Sequence, residues 1–533
     1  MTQAARLPCD EAAMRSGGAA PACSASQQRW VLVASILGSS LAFIDGTVAN
    51  VALPAIQREL SATVYQAQWV IVAYALFLGA LLLVGGSLGD RYGRRRLFLI
   101  GVAIFGVASA GCAGAQTVHQ LIAARAVQGV GGALLVPGSL ALISAAFAEE
   151  ERGKAFGTWA AFTGITAGAG PLIGGWLIDR VSWAWAFGIN VPLALVVIGV
   201  TWARVPESRD AAQQGAKVDV PGALLATTGL GGIVFAFIEA PTRGWQSAPV
   251  LSALGIGIAS LIAFVRVEQL QPHPMLPLRL LRQRNFAGAN LLTLLLYAAL
   301  GGGLFFLPLN LIQIQGLSAT AAGAALLPFI LIMFVLSRWA GGLVASHGAR
   351  LPLVAGPLIA AAGFALLALP GTQAGYWTGF LPGIAVMGLG MAIAVAPLTT
   401  TVMNAVGPAA AGTASGVNNA VSRIAGLLAV AVFGWLMASV FEPRLQQDLA
   451  LAGVPRELAD AIWSQRDRLA AIELPRRLPG EAAAAGRDAV HQAFVAGYRW
   501  IMALSAALAL ASAMVAAIWI DGGGKQGAQA DRV

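Results

Sequence analysis

Fourteen apolar segments of roughly twenty residues each dominate the sequence and restrict what it can fold into. The hydrocarbon core of a bilayer is about 30 Å thick, and an α-helix needs roughly 20 apolar residues to cross it. Only 11% of the residues are charged, whereas a soluble domain has about a quarter. The sequence therefore predicts an all-α integral membrane protein with fourteen transmembrane helices. The predicted spans are residues 30–56, 67–89, 97–115, 120–141, 155–178, 184–203, 219–239, 248–268, 286–311, 319–344, 351–370, 376–400, 412–440 and 497–520.

Lys and Arg residues are concentrated in alternate loops between the spans, and this asymmetry predicts the orientation of the chain. With a cytoplasmic N-terminus, the cytoplasmic loops and tails hold nineteen of these residues. The short outer loops then hold three, namely Arg58, Arg180 and Arg243. We therefore expect a multi-pass protein of the cell (inner) membrane with both termini cytoplasmic. The net charge of +9 reflects this topology, so no nucleic-acid partner is expected.

A repeated loop sequence divides the spans into two halves. Residues 86–96 read GSLGDRYGRRR, and residues 341–350 read GGLVASHGAR at an offset of 255 positions, with Ala345 in place of Asp90. Two six-helix repeats leave two extra spans between them, and repeated halves are a transporter architecture. The predicted parts are an N-terminal tail (1–29), a six-helix bundle (30–203), two inserted helices with linkers (204–285), a second six-helix bundle (286–520) and a C-terminal tail (521–533). The second bundle includes a polar outer loop, 441–496, which we expect to form short amphipathic helices.

Two charged residues lie deep within predicted spans, where a charge is costly and indicates function. Asp45 is in the middle of the first span, and burial favours the protonated form of a carboxylate, as a proton-binding site requires. Arg125 is in the fourth span, and Asp45 is its nearest intramembrane acid. The two residues are expected to pair or to alternate as partners. Each also has a structural interpretation: a packing salt bridge for Asp45, and extension of Arg125 to the lipid headgroups.

The loop between the second and third spans combines one acid, several arginines and spaced glycines, which predicts a cytoplasmic gate. We expect Asp90 to cap a helix end and the arginines to bridge neighbouring helices, although positive-inside topology alone also accounts for the arginines. The predicted gate residues are Gly86, Asp90, Arg91, Gly93, Arg94 and Arg95.

The fifth span is rich in small residues around a proline. Positions 164, 168, 171 and 175 share one helical face and predict close approach of another helix, which ordinary small-residue packing also explains. The segment comprises Gly164, Gly168, Gly170, Pro171, Gly174 and Gly175. Weaker candidates for cavity residues are Glu239, Arg338 and Arg423, each of which also has an interfacial interpretation. The histidines and cysteines form no metal-ligand pattern and no nucleotide fingerprint occurs, so neither a metal, a cofactor nor an enzymatic activity is expected.

Over residues 30–520 the chain resembles the fourteen-span drug:proton antiporters of the major facilitator superfamily. Five segments carry the resemblance: those around Asp45, the loop 86–96, Arg125, the Gly-Pro segment of the fifth span, and residues 183–192 (WAWAFGINVP). The resemblance implies proton coupling through Asp45 and Arg125, and identifies the fifth-span segment as an antiporter signature that is absent from uptake symporters. Some relatives that export dications have acids in the tenth and thirteenth spans, where this chain has Arg338 and Arg423.

The implied function is export of drugs or other toxic amphipathic small molecules in exchange for protons, by alternating access in a functional monomer within the lipid bilayer. A same-fold exporter of a dedicated metabolite or an uptake symporter is the first alternative, and a membrane sensor or scaffold is the second. The sequence does not specify the substrate, and it gives no sign of a periplasmic adaptor.

Overall fold

The computed structural model describes residues 23–147, 149–209, 219–271, 274–406, 411–474 and 480–521. All regular structure in these residues is helical, and fourteen helices are long and apolar enough to cross a membrane, which confirms the predicted fold class. The α-helices are α1 (Ala25–Glu59), α2 (Val64–Tyr92), α3 (Arg94–Ala113), α4 (Val118–Ala146), α5 (Glu149–Arg180), α6 (Trp185–Gly188), α7 (Asn190–Arg204), α8 (Val220–Arg243), α9 (Ala248–Leu270), α10 (Arg284–Leu309), α11 (Ala319–Ala325), α12 (Leu327–His347), α13 (Arg350–Leu367), α14 (Leu381–Asn404), α15 (Ala411–Leu451), α16 (Arg456–Trp463) and α17 (Gly480–Trp519).

The first compact unit contains residues up to Ala55, Trp69–Ile233 and Gly255–Leu276. Its core includes Phe98 and Phe105 of α3, which are fully buried. Helices α3 and α4 approach closely because glycines line their contact. A Cβ atom at Gly101 would lie 2.8 Å from the backbone nitrogen of Leu135 and 3.0 Å from the carbonyl oxygen of Gly131. Glycine at this position therefore sets the helix spacing.

The second compact unit contains Ile56–Gln68, Val234–Leu254 and the chain from Pro277 onward. Helices α13 and α14 make the contact that α3 and α4 make in the first unit. A Cβ atom at Gly356 would lie 2.8 Å from the backbone nitrogen of Ala394 and 2.8 Å from the carbonyl oxygen of Gly390. Gly356 follows Gly101 by 255 positions, which is also the offset of the repeated loop sequence. The same glycine contact thus occurs at matching positions in the two units.

Most of the segment 441–496 is helical, and the helices of the thirteenth and fourteenth predicted spans extend into it. Helix α15 continues to Leu451 and α17 begins at Gly480, while α16 and a 3-10 segment, Arg466–Ala471, lie between them. The physical reason is a helical spacing of apolar residues beyond the span: Phe441, Leu445 and Leu449 are all buried. A short amphipathic helix does occur, since α16 buries Leu458 and Ile462.

Candidate functional site

Asp45 of α1 and Arg125 of α4 form an ion pair in the interior of the first unit. Nη1 of Arg125 lies 2.5 Å from Oδ2 of Asp45, and the two side chains are 1% and 0% exposed respectively. Nε of Arg125 donates a hydrogen bond of 3.0 Å to the carbonyl oxygen of Val70 in α2. Arg125 therefore points into the helix bundle and does not extend toward the headgroups.

Two amide side chains complete the coordination of Asp45. Nε2 of Gln128 donates to Oδ1 of Asp45 at 2.8 Å, and Nδ2 of Asn190 donates to the same oxygen at 3.3 Å. Nε2 of Gln128 also donates to Oγ of Ser109 at 2.7 Å, and its Oε1 accepts from Nη1 of Arg125 at 2.6 Å. These five side chains, from helices α1, α3, α4 and α7, form what we call the Asp45 network. All are buried.

Two aromatic rings lie beside the guanidinium of Arg125. Its Cζ atom is 4.3 Å from the ring centroid of Tyr74 and 5.4 Å from that of Phe187. Both distances fall within the range of a cation–π interaction, which strengthens when the groups are removed from water. The rings therefore help to retain the positive charge when Asp45 does not compensate it.

The Asp45 network can exist in two charge states. With an ionised carboxylate, the pair is neutral and every oxygen of Asp45 accepts a hydrogen bond. When Asp45 binds a proton, the ion pair is lost and a buried cation is left uncompensated, a change worth about 3–5 kcal/mol in buried pairs. Protonation of Asp45 would therefore remove the ion pair that joins α1 to α4.

Asp45 and Arg125, both predicted from the sequence, lie together in the structure, whereas Gln128, Asn190 and Ser109 were not predicted. Gln128 lies three positions after Arg125 on the same helical face, so its spacing was an available signal. Asn190 lies within the WAWAFGINVP segment that carried part of the resemblance. Ser109 has no such signal, because an isolated serine within a span satisfies its hydroxyl in many ways.

The glycines of α5 bring this helix into contact with α1 next to Asp45. A Cβ atom at Gly170 would overlap Oγ1 of Thr47 and would lie 3.3 Å from the carbonyl oxygen of Ile44. A Cβ atom at Gly174 would overlap the side chain of Val48 in the same way. Gly164, by contrast, has no atom within 4 Å of its Cβ position. The contact with α1 thus includes Gly170 and Gly174. Of the predicted face, Gly168, Pro171 and Gly175 are buried, whereas Gly164 is exposed and lies outside this contact.

The predicted gate loop is reduced to one residue, Gly93, between α2 and α3. Its φ of 114° lies in the left-handed region that favours glycine. Asp90, in the last turn of α2, pairs with Arg94 of α3 at 2.8 Å. Nη2 of Arg95 donates to the carbonyl oxygen of Trp202 in α7 at 2.7 Å, so this arginine does bridge to another helix. Arg91 stacks near the ring of Tyr92.

The helix cap that the sequence analysis assigned to Asp90 belongs to Glu207. The Glu207 carboxylate accepts hydrogen bonds from the backbone N–H groups of Arg95 at 3.0 Å and Arg96 at 3.2 Å. These N–H groups are in the first turn of α3, where a helix leaves its donors unsatisfied and favours negative charge. Asp90 precedes this helix by one turn and binds the Arg94 side chain instead.

Two of the three weaker candidates, Glu239 and Arg423, belong to the second unit. Glu239 is near the end of α8 and pairs with Arg243 at 2.6 Å. Arg423 is on α15 and is half-buried. The side chain of Arg338 is outside the described part of the chain. In the described residues no group of three His, Cys, Asp or Glu side chains has an arrangement that holds a metal ion.

Comparison with known proteins identifies relatives over most of the chain. The family model of the Major Facilitator Superfamily matches residues 35–430. The chain is 34% identical to multidrug resistance protein Stp of Mycobacterium tuberculosis, with 79% of this chain and 78% of the relative covered. It is 38% identical to the puromycin resistance protein pur8 of Streptomyces alboniger, with 77% and 82% covered. It is 31% identical to the tetracenomycin C resistance and export protein of Streptomyces glaucescens, with 93% and 92% covered.

Solved structures show the same fold at low sequence identity. A bacterial homologue of the human lysosomal transporter Spinster, in an inward-facing and unoccupied conformation, matches with a TM-score of 0.60 at 17% identity. The match covers 92% of this chain and 98% of that one. At this sequence identity the likeness concerns the fold alone.

Proposed function

The chain belongs to the Major Facilitator Superfamily, and from this premise we propose that it exports drugs or other toxic amphipathic small molecules in exchange for protons. The names of the relatives support export: one is a multidrug resistance protein and others confer resistance to puromycin and tetracenomycin C. The observation that supports proton coupling is the buried pair of Asp45 and Arg125. The protein acts as a monomer in the bacterial cell membrane, with both termini in the cytoplasm.

Proton binding and substrate release alternate at the Asp45 network. In the outward-facing state Asp45 binds a proton, the ion pair with Arg125 opens, and the exported compound is released. In the inward-facing state Asp45 loses its proton to the cytoplasm and the pair re-forms, so that a new substrate binds. Gln128 and Asn190 hold the carboxylate in both states, because each amide offers both a donor and an acceptor.

The proton gradient supplies enough free energy for uphill export. Moving one charge across the membrane yields about 2.3 kcal/mol per 100 mV. A difference of one pH unit adds about 1.4 kcal/mol per proton. One proton therefore supports a substrate gradient of more than tenfold under ordinary conditions.

Two further sites serve the conformational change. The contact of Gly170 and Gly174 with α1 transmits movement near Asp45 to α5. The Asp90–Arg94 pair and the Glu207 cap hold the cytoplasmic ends of α2, α3 and the segment after α7 together. These interactions must break and re-form as the cytoplasmic side opens and closes.

Export from inside-out vesicles tests this function. A drug-susceptibility panel in an efflux-deficient host, with and without the gene, first identifies exported compounds. In inside-out vesicles, addition of such a compound should dissipate an imposed pH gradient, and a protonophore should abolish uphill transport. Equal uphill transport after the gradient has collapsed would contradict proton coupling. An unchanged susceptibility panel would contradict drug export and favour a dedicated metabolite as the substrate.

A further inference from the structure

A cavity of about 720 Å³ lies in the second unit, between α15, α17 and the segment that follows α13. Cavities of about 300–1,000 Å³ are typical of sites for small ligands. In the described part of the chain its lining contains two arginines and a tryptophan but no Asp or Glu. The polar and aromatic lining residues, with one glycine, are Gly371, Thr372, Arg444, Gln492, Arg499 and Trp500.

Three uncharged stretches of sequence place this cavity at the boundary of the bilayer core. They are residues 351–370, 424–441 and 501–520, and each is 18–20 residues long. This is about the length that an α-helix needs to cross the hydrocarbon core. Gly371, Arg444 and Arg499 each lie within three positions of the end of one stretch. The cavity therefore lies at the level where the lipid headgroups begin.

Hydrogen bonds at both ends hold α13 and α17 together in antiparallel orientation. Nη2 of Arg350, the first residue of α13, donates to the carbonyl oxygen of Ala517 near the end of α17. Nη2 of Arg499 donates to the carbonyl oxygens of Leu369 at 3.1 Å and Pro370 at 3.4 Å. Arg499 and Ala517 are eighteen positions apart on α17, which is about 27 Å along the helix axis. The two levels are thus about one hydrocarbon thickness apart.

The guanidinium group of Arg499 has donors that the protein does not use. A guanidinium carries five N–H groups, and the two carbonyl oxygens bind only Nη2. Within the described residues, Nε and Nη1 of Arg499 have no protein acceptor, and no acid forms an ion pair with this side chain. Arg444, by contrast, pairs with Asp448 at 3.1 Å. The positive charge that remains available at the cavity is therefore that of Arg499.

The cavity borders the lipid-facing surface of the unit. Trp500, which lines it, is 61% exposed, and Leu369, whose carbonyl oxygen binds Arg499, is 69% exposed. Large apolar side chains exposed at the end of a membrane span contact lipid, and tryptophan is enriched at the level of the headgroups. A ligand can therefore place an anionic group beside Arg499 and an apolar tail against the lipid-facing side of Trp500.

A planar guanidinium binds a phosphate group through two parallel N–H···O bonds, and arginines at the membrane surface attract anionic lipids. We propose that this cavity binds the headgroup of an anionic phospholipid. Arg499 binds the phosphate, Thr372 and Gln492 offer further hydrogen bonds to the headgroup, and the acyl chains lie in the bilayer beside α17. A phospholipid is favoured over a soluble phosphate because the cavity lies where phospholipid phosphates are found.

Native mass spectrometry of the purified full-length protein tests the proposal. The protein is freed of lipid and titrated with anionic phosphatidylglycerol or zwitterionic phosphatidylcholine, both with the same acyl chains. The wild type should bind phosphatidylglycerol more tightly. Arg499→Gln should weaken phosphatidylglycerol binding about fivefold, the effect of one cation near anionic lipid, and leave phosphatidylcholine binding within about twofold. Arg499→Lys, which keeps the charge, should lose less than Arg499→Gln.

Arg487→Gln is the matched control, because Arg487 is an exposed arginine on the same helix that does not line the cavity. Both lipid affinities should be unchanged in this variant. If Arg487→Gln weakens phosphatidylglycerol binding as much as Arg499→Gln does, the attraction is a general effect of surface charge and the site is wrong.

Three further outcomes would also overturn the proposal. Equal weakening of both lipids in Arg499→Gln would indicate that this arginine has only a structural role. Equal affinity of the wild type for the two lipids would show that the cavity does not select an anionic headgroup. Displacement of bound phosphatidylglycerol by inorganic phosphate would show that the site takes a soluble anion and not a lipid.

Discussion

Arg125, Gln128 and Asn190 surround the carboxylate of Asp45 in the interior of the first unit. An isolated ion in this environment would cost several kcal/mol, and the short contacts to Arg125 and Gln128 offset that cost only while all partners are present. Buried polar networks stabilise a structure when fully satisfied and destabilise it when one member is lost. The residues around Asp45 therefore contribute to stability, and in the proposed mechanism they also serve proton exchange.

Replacement of Gln128 by Leu should destabilise the protein and impair efflux. The substitution keeps the approximate volume but leaves Asp45, Ser109 and Arg125 each short of one hydrogen bond, and each unsatisfied buried group costs about 1–3 kcal/mol. The midpoint of thermal unfolding in detergent should fall by several degrees. Gln116→Leu, at an exposed turn position, is the matched control and should change the midpoint little. Equal midpoints for the two variants would show that the network contributes no stability.

The sequence identified the charged members of this site but not the uncharged ones. A charge within a span is rare and costly, so Asp45 and Arg125 stand out without any structure. Asparagine, glutamine and serine occur in spans for several structural reasons, and only tertiary contact shows which of them meet Asp45. For the same reason the sequence could not assign the cap of α3 to Glu207, which is more than a hundred residues away.

At the scale of the helix, α1 is the element on which the site depends. It supplies Asp45 to the network and presents Thr47 and Val48 to α5. The lengths of such helices follow from apolar composition, which is why the fourteen spans could be predicted. The ends of the helices are less predictable. Helices α15 and α17 extend beyond the predicted spans, and these extensions are stabilised by local packing and not by the bilayer.

Replacement of Gly170 by Ala should impair transport, whereas Gly164→Ala should not. A methyl group at Gly170 overlaps Thr47 and presses on α1 two residues from Asp45, while the same group at Gly164 meets open space. We expect Gly170→Ala to lower efflux at least fivefold in a resistance or vesicle assay, at comparable amounts of protein in the membrane. Equal efflux by both variants would indicate that α1 and α5 do not need this close contact.

Neutralising Asp90 should slow turnover more than it weakens substrate binding. The Asp90–Arg94 pair joins the ends of α2 and α3, far from the Asp45 network along the helices, so its loss affects the conformational change. Asp90→Asn should keep the substrate affinity within twofold while the transport rate falls. Glu239→Gln breaks a pair with the same helical spacing, Glu239–Arg243, and should leave the rate near that of the wild type. A large loss of affinity with normal turnover in Asp90→Asn would contradict a gating role.

The two units of the molecule share a helix contact but not a charge distribution. Gly101 and Gly356 make the same contact in their respective units. Their partners, Gly131 and Gly390, are 259 positions apart. The residue 259 positions after Arg125 is Ile384, so the second unit has an apolar residue where the first has this arginine. The first unit thus holds a buried ion pair at a position where the second unit has an apolar residue.

Both ends of the chain should lie in the cytoplasm, as the distribution of Lys and Arg predicts. Green fluorescent protein fused to either terminus should fluoresce, and alkaline phosphatase fused there should be inactive. Alkaline phosphatase inserted after Gly453, between α15 and α16, should be active, because the predicted orientation places this segment on the outer side. An active phosphatase at the C-terminus would reverse the proposed orientation and with it the direction of the gate.

Proton flux through Asp45→Asn tests the coupling mechanism most directly. Asparagine keeps the size and polarity of the side chain but cannot exchange a proton. In proteoliposomes with an imposed pH gradient, addition of an exported compound to the wild type should cause proton movement that a pH-sensitive dye detects. Asp45→Asn should bind the compound yet move no protons and build no substrate gradient, while Asp45→Glu should retain part of both activities. Proton movement and uphill export by Asp45→Asn at the wild-type rate would contradict the assignment of Asp45 as the coupling carboxylate.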